Sequence, residues 1–178
     1  MNPKNPIECT QDWIENFVLA HNLCPFAHIP FKNHRIRYTL SPTSDLAQTL
    51  SAFIDEILWL EAHPETQTSF LIIDDHALPF LDYLDILATA EHTLEEANLQ
   101  SHYQIASFHP QYCFEDAPQD DPANASNQSP FPMLHLLRCA DVENARHSHP
   151  DVEGIPERNI QYLRSLASHK KDDGSILG

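Results

Sequence analysis

Ser69-Phe70-Leu71-Ile72-Ile73 is a short, nearly continuous apolar run, the pattern of a strand buried on both faces. The fold is read outward from it. Upstream, Asp45 can cap a helix over 45–62, where Leu46, Leu50, Phe53, Ile54, Ile57, Leu58 and Leu60 give a broad apolar face and Pro64 ends the element. Downstream, a helix over 79–98 carries Leu81, Leu84, Leu87, Ala88 and Leu94. Alternation in Arg35-Ile-Arg-Tyr-Thr-Leu40 marks an earlier strand, and Tyr103 to Phe108 a later one. Strand–helix–strand–helix–strand order calls for parallel pairing with right-handed crossovers. The expected fold is therefore α/β: a small parallel or mixed sheet of about three core strands, covered by helices on both faces, with extra helices at both termini. A ferredoxin-like sheet with an antiparallel partner is the alternative.

The flanks supply those extra helices. Thr10 reads as the N-cap of a helix over 11–21, which stops before Pro25. Beyond the third strand, an acidic tract at 115–129 lacks the side chains to build a core and reads as a long loop. Ser129 followed by Pro130 reads as a helix start, with that helix running to about Ala145. A last helix is expected from Pro156 to Ser168. One domain over 1–169 and a flexible tail over 170–178 follow.

Charge is unevenly distributed. The 178 residues carry a net charge of −16, and no Lys or Arg lies between Arg37 and Arg138, a stretch that holds sixteen of the 26 acidic residues. No basic footprint for nucleic acid is present, and an anionic membrane surface is disfavoured. Glycine is equally telling: Gly154, Gly174 and Gly178 are the only three. Phosphate loops, dinucleotide fingerprints and nucleophile elbows need glycine where the backbone turns tightly or approaches a ligand, so those devices are ruled out. No run approaches a membrane span, and the N-terminus lacks a signal-peptide core. With Cys9, Cys24, Cys113 and Cys139 scattered and no Cys-x-x-Cys pair, a reducing, cytoplasmic location is expected.

The chemistry-bearing candidates cluster late in the chain. In open α/β sheets ligands sit beyond the carboxyl ends of the strands, and His109 follows the third strand directly. On the helix expected from Ser129, His135 and Arg138 are spaced i, i+3 and would share a face. Free N–H groups at that helix start, together with Arg138, would suit a carboxylate or phosphate. The expected pocket holds His109 and His135 as proton carriers, with Arg138, Asn127, Ser129 and Tyr112 binding substrate and Arg37 and Arg158 adding charge. Cys24 is the candidate nucleophile, although a position after a helix C-terminus raises a thiol pKa. Spacing alone prescribes no metal site; His147-Ser-His149 is an exposed-looking His-x-His.

Four segments carry a family resemblance: Asn22-Leu-Cys-Pro-Phe26, Ala106-Ser-Phe-His-Pro-Gln-Tyr112, Asn127 to Arg138, and Ile155-Pro-Glu-Arg-Asn-Ile160. In order and spacing they resemble the bacterial domain-of-unknown-function family 1415, over about residues 10–166. Gln128 stands where that family usually has Arg, and Cys139 where it tends to have Glu. The resemblance implies no activity. Three readings follow from the residues: a small-molecule enzyme acting on an anionic substrate, a metal- or cofactor-binding protein using His109, His135 or Cys24, and a non-catalytic acidic interaction or regulatory protein. Neither a particular cofactor nor an oligomeric state is specified by the sequence.

Overall fold

The computed structural model describes residues 5–148 and 151–173. His149 and residues 174–178 of the expected tail lie outside them. The described residues form six α-helices and four strands, in the order α1 (Pro6–Trp13), α2 (His28–Lys32), β1 (Ile36–Ser41), α3 (Leu46–Ala62), β2 (Thr68–Ile73), α4 (Phe80–Glu96), β3 (Tyr103–Phe108), β4 (Met133–Arg138), α5 (Cys139–Ser148) and α6 (Ile155–Asp173). A π-helical turn over Ile14–Leu19 continues α1, and a 3-10 turn over Pro122–Ser126 lies in the acidic tract.

The first helix begins earlier than Thr10. Asn5 Oδ1 accepts from the Glu8 N–H at 2.8 Å, and Glu8 Oε2 accepts from the Asn5 N–H at 3.2 Å. This reciprocal box, with Pro6 at the first helical position, satisfies donors that a lone threonine cannot. Thr10 is buried inside the helix, its hydroxyl donating to the Pro6 carbonyl. The Asp45 cap is present as expected: its Oδ1 accepts from the Gln48 N–H at 3.0 Å.

The four strands form one mixed sheet in the order β1-β2-β4-β3. β1 and β2 run parallel, with Ile36 opposite Thr68, and β4 runs antiparallel to both its neighbours. The three strands read from the sequence share one direction, and the fourth is inserted between two of them. That fourth strand replaces the helix expected from Ser129. Ser129 Oγ donates to the Phe131 carbonyl at 2.6 Å instead of capping. Residues 133–138 then take the slot between β2 and β3, where both ladders satisfy their backbone, and helix resumes only at Cys139.

Helices cover both sheet faces. Leu71, Ile73, Leu134, Leu136 and Tyr103 pack beneath α3 and α4, meeting Phe53, Ile57, Leu60, Tyr83, Ile86 and Leu94. On the other face Phe70, Ile72 and Met133 meet Ile14 of the π turn and Phe131, with Trp13, Phe31 and Phe108 around them. α6 packs on the 3-10 turn of the acidic tract. That tract is more ordered than its composition suggests. Asn124 is fully buried, accepting from the Phe114 N–H and donating to the carbonyls of Pro118 and Gln119.

Candidate functional site

Most of the residues expected to form one pocket are spent on holding the fold. His109 is buried just past β3. Its Nε2 donates to the Leu78 carbonyl at 2.9 Å, and its Nδ1 accepts from the Gln111 N–H at 3.0 Å. Those partners fix the neutral Nε2–H tautomer, and burial holds the pKa below the usual histidine value. Neither ring nitrogen is left for a ligand. Asn127 donates to the Ser107 carbonyl at 3.1 Å, Gln128 donates to that of Tyr112, and the Tyr112 hydroxyl lies 3.3 Å from Ser107 Oγ. His109, Tyr112 and Asn127 therefore do come together, as the knot that ties the end of β3 to the approach of β4.

The i, i+3 argument for His135 and Arg138 fails on a strand, where that spacing puts the two side chains on opposite faces. His135 stacks on Phe70 at 3.8 Å between ring centroids, and burial pushes its pKa down to about 3. Arg138 emerges on the other face. Its guanidinium donates to the carbonyls of Leu60 (2.5 Å), His63 and Thr66 and to the Tyr103 hydroxyl. It thus caps the C-terminal end of α3, where unsatisfied carbonyls favour a cation. Arg37 is likewise engaged. It makes a two-pronged bond to buried Glu56 and stacks 4.1 Å over the Trp59 ring. Burial pushes the Cys24 thiol pKa up, opposite to what a poised nucleophile needs.

Arg158 and the segment around Cys24 meet elsewhere. The π turn carries one extra residue per turn and delivers the chain into a tight reversal. Leu23 N–H bonds back to the Val18 carbonyl, and Asn22 takes a left-handed φ of 50°. Across from this corner runs α6, whose Arg158, Gln161, Tyr162 and Ser165 share one helical face. Asn159 donates to the Leu23 carbonyl at 2.7 Å and ties the two together. Between them lies an open cleft of about 510 Å³, lined by His21, Asn22, Arg158, Asn159, Gln161, Tyr162 and Ser165. His21 Nδ1 sits 2.7 Å from the Tyr162 hydroxyl. Arg158 is paired with Asp151 at 2.7 Å, both side chains exposed. A smaller hollow of about 380 Å³ lies between the acidic tract and α6, but Arg164 already spans it to Asp121 through two hydrogen bonds.

His21, Asn159 and Tyr162 were not among the sequence candidates. Two signals pointed near them. The segments Asn22–Phe26 and Ile155–Ile160, quoted for their resemblance, are the ones that meet here, and residues 158, 161, 162 and 165 repeat with helical period. Among the described residues, no three His, Cys, Asp or Glu side chains converge as a metal site. None of the described helices is long and apolar enough to cross a membrane.

Fold and cleft together define a mixed α/β protein with an open four-stranded sheet and a polar corner at the start of its last helix. A model of the family described as "Protein of unknown function (DUF1415)" matches residues 5–173, and the chain belongs to that family. No curated protein and no solved structure matches it.

Proposed function

We propose that this protein binds a small anionic metabolite in the cleft between residues 21–24 and α6, with Arg158 as the anchor and the His21–Tyr162 pair as the proton-exchanging group. The observation that carries this reading is the placement of His21. It stands in a polar cleft, oriented by a tyrosine hydroxyl and beside an arginine. By contrast, His109 has both ring nitrogens bound to backbone, and His135 is stacked and neutral. If Tyr162 donates to Nδ1, the imidazole Nε2 carries the proton and faces a ligand as donor. The Arg158–Asp151 pair is solvent-exposed and therefore weakly held, so an incoming carboxylate or phosphate can displace Asp151 at small cost. A π-helical turn leading into the corner is a further support, since such turns occur frequently at functional sites. A reducing, cytoplasmic setting fits the free thiols of Cys24, Cys113 and Cys139.

The test is a thermal-shift screen of carboxylated and phosphorylated metabolites against the full chain, with binders mapped by amide chemical shifts. Binders should raise the melting temperature, move resonances of residues 21–24 and 155–165, and lose their effect in Arg158→Gln. His21→Phe should keep the anion but weaken those ligands that accept a hydrogen bond from the imidazole. Binders that still stabilise Arg158→Gln, or that shift residues only outside the cleft, would overturn the assignment.

A further inference from the structure

On the sheet face opposite the π turn, α3 is apolar on more sides than its core contacts use. Among the described residues seven large hydrophobic side chains are exposed, and four of them sit on this single helical layer: Leu46 (42%), Ile54 (42%) and Leu58 (62%) on α3, and Leu81 (74%) on α4. Ala47, Ser51, Ile54 and Leu58, spaced four, three and four residues apart, form one continuous outward stripe without a charge. A helix with an apolar stripe on its outer face as well as on its core face is ordinarily covered by something.

The Asp, Glu, Lys and Arg side chains carried by these two helices are all acidic. Asp55 lies beside it on α3, and α4 exposes Asp82, Asp85, Glu91, Glu95 and Glu96. No Lys or Arg occurs between Arg37 and Arg138, and Arg37 itself is neutralised by Glu56. On α4 itself, the His92 ring lies 3.7 Å and 3.9 Å from Glu95 and Glu96. A second copy of this chain docking here would set acidic rim against acidic rim, which is costly at close range.

We infer that the outer face of the α3–α4 layer docks a basic amphipathic segment of another protein, one whose apolar side chains cover Ile54 and Leu58 while flanking Lys or Arg residues meet the carboxylates of α4. The apolar stripe supplies affinity through burial, and the acidic rim supplies encounter rate and choice of partner. This surface is separate from the cleft, and neither reading depends on the other.

The test uses the full chain and a fluorescein-labelled helical peptide of leucine and lysine, with a leucine–glutamate peptide of the same pattern as control. Anisotropy should show binding of the lysine peptide alone, weakening steeply with added salt. Amide shifts should move on residues 47–62 and 81–96. In Ile54→Ser/Leu58→Ser, whose substituted side chains point to solvent, affinity should fall at least about tenfold. Asp85→Asn/Glu95→Gln should weaken binding at low salt and flatten the salt dependence. The inference is overturned if the serine variant binds like wild type, or if shifts concentrate on the acidic tract at 115–121. A wild-type chain that dimerises through α3, seen as a mass doubling that Leu58→Ser abolishes, also overturns it.

Discussion

His135 Nε2 lies 2.6 Å from Thr68 Oγ1, and that hydroxyl in turn donates to the Leu136 carbonyl at 2.5 Å. The threonine proton is committed to the carbonyl, so its oxygen accepts from the imidazole N–H, and the ring is fixed across the β2–β4 ladder. Burial pushes the His135 pKa down to about 3, against about 6.5 in the unfolded chain. Above pH 6.5 both states are neutral and the residue is silent. Between pH 6.5 and about 3 the unfolded chain takes up a proton that the native state refuses, so stability falls as pH falls. Urea unfolding at pH 7 and pH 5 should show wild type losing up to about 2 kcal/mol more than His135→Gln over that interval. Equal losses in the two proteins would show that His135 does not couple to folding in this way.

The buried carboxylate of Glu56 depends on Arg37 and on the Ser69 hydroxyl. Removing only the arginine leaves that charge without its counter-ion. Arg37→Met should destabilise the fold by about 3 kcal/mol, whereas Arg37→Met/Glu56→Leu should recover more than half of the loss. Chemical denaturation of the three proteins measures both numbers. A double variant no better than the single would mean that the pair contributes through packing alone.

Cys24 should behave as an unreactive, half-buried thiol. Its raised pKa leaves little thiolate near neutrality, and thiolate is the reacting form. Iodoacetamide labelling at pH 8, followed by peptide mass spectrometry, should proceed at least about tenfold more slowly at Cys24 in the native protein than in urea. Fast native labelling would revive it as a nucleophile.

Asn124 is the clamp of the acidic tract, its side chain bonded to backbone groups of residues 114, 118 and 119 and, more weakly, to the Cys113 sulfur. Asn124→Ala should cost about 2 kcal/mol, since it strands buried backbone partners. It should also open the exposed bond after Glu115 to a glutamate-specific protease. Unchanged cleavage would place the order of this segment in the Arg164–Asp121 contact instead.

The central elements were legible because their local signals agree with their tertiary roles. The Asp45 cap, the stop at Pro64 and the apolar run ending at Ile73 all mark real boundaries. β4 was hidden for two reasons. Ser129-Pro130 has the chemistry of a helix start, and Met-Leu-His-Leu-Leu-Arg lacks the β-branched residues that announce a strand. A two-sided slot in the sheet outweighed that preference, and with it went the shared face assumed for His135 and Arg138. The helix start at Asn5 was present in the sequence as Asn-Pro-x-Glu but is easily passed over beside Thr10. The π turn leaves no periodic signature of its own, so the corner that holds His21 became visible only with α6 folded against it.

The insertion of β4 between β2 and β3 also sets an order of events for the growing chain. β1, α3 and β2 pair through neighbouring segments and are complete early. Among the described strands β3 has no neighbour except β4, and β4 follows only after the acidic tract. During synthesis the run from Tyr103 to Phe108 therefore leaves the ribosome with an unpaired edge and waits for residues 133–138 before either side of the sheet can close.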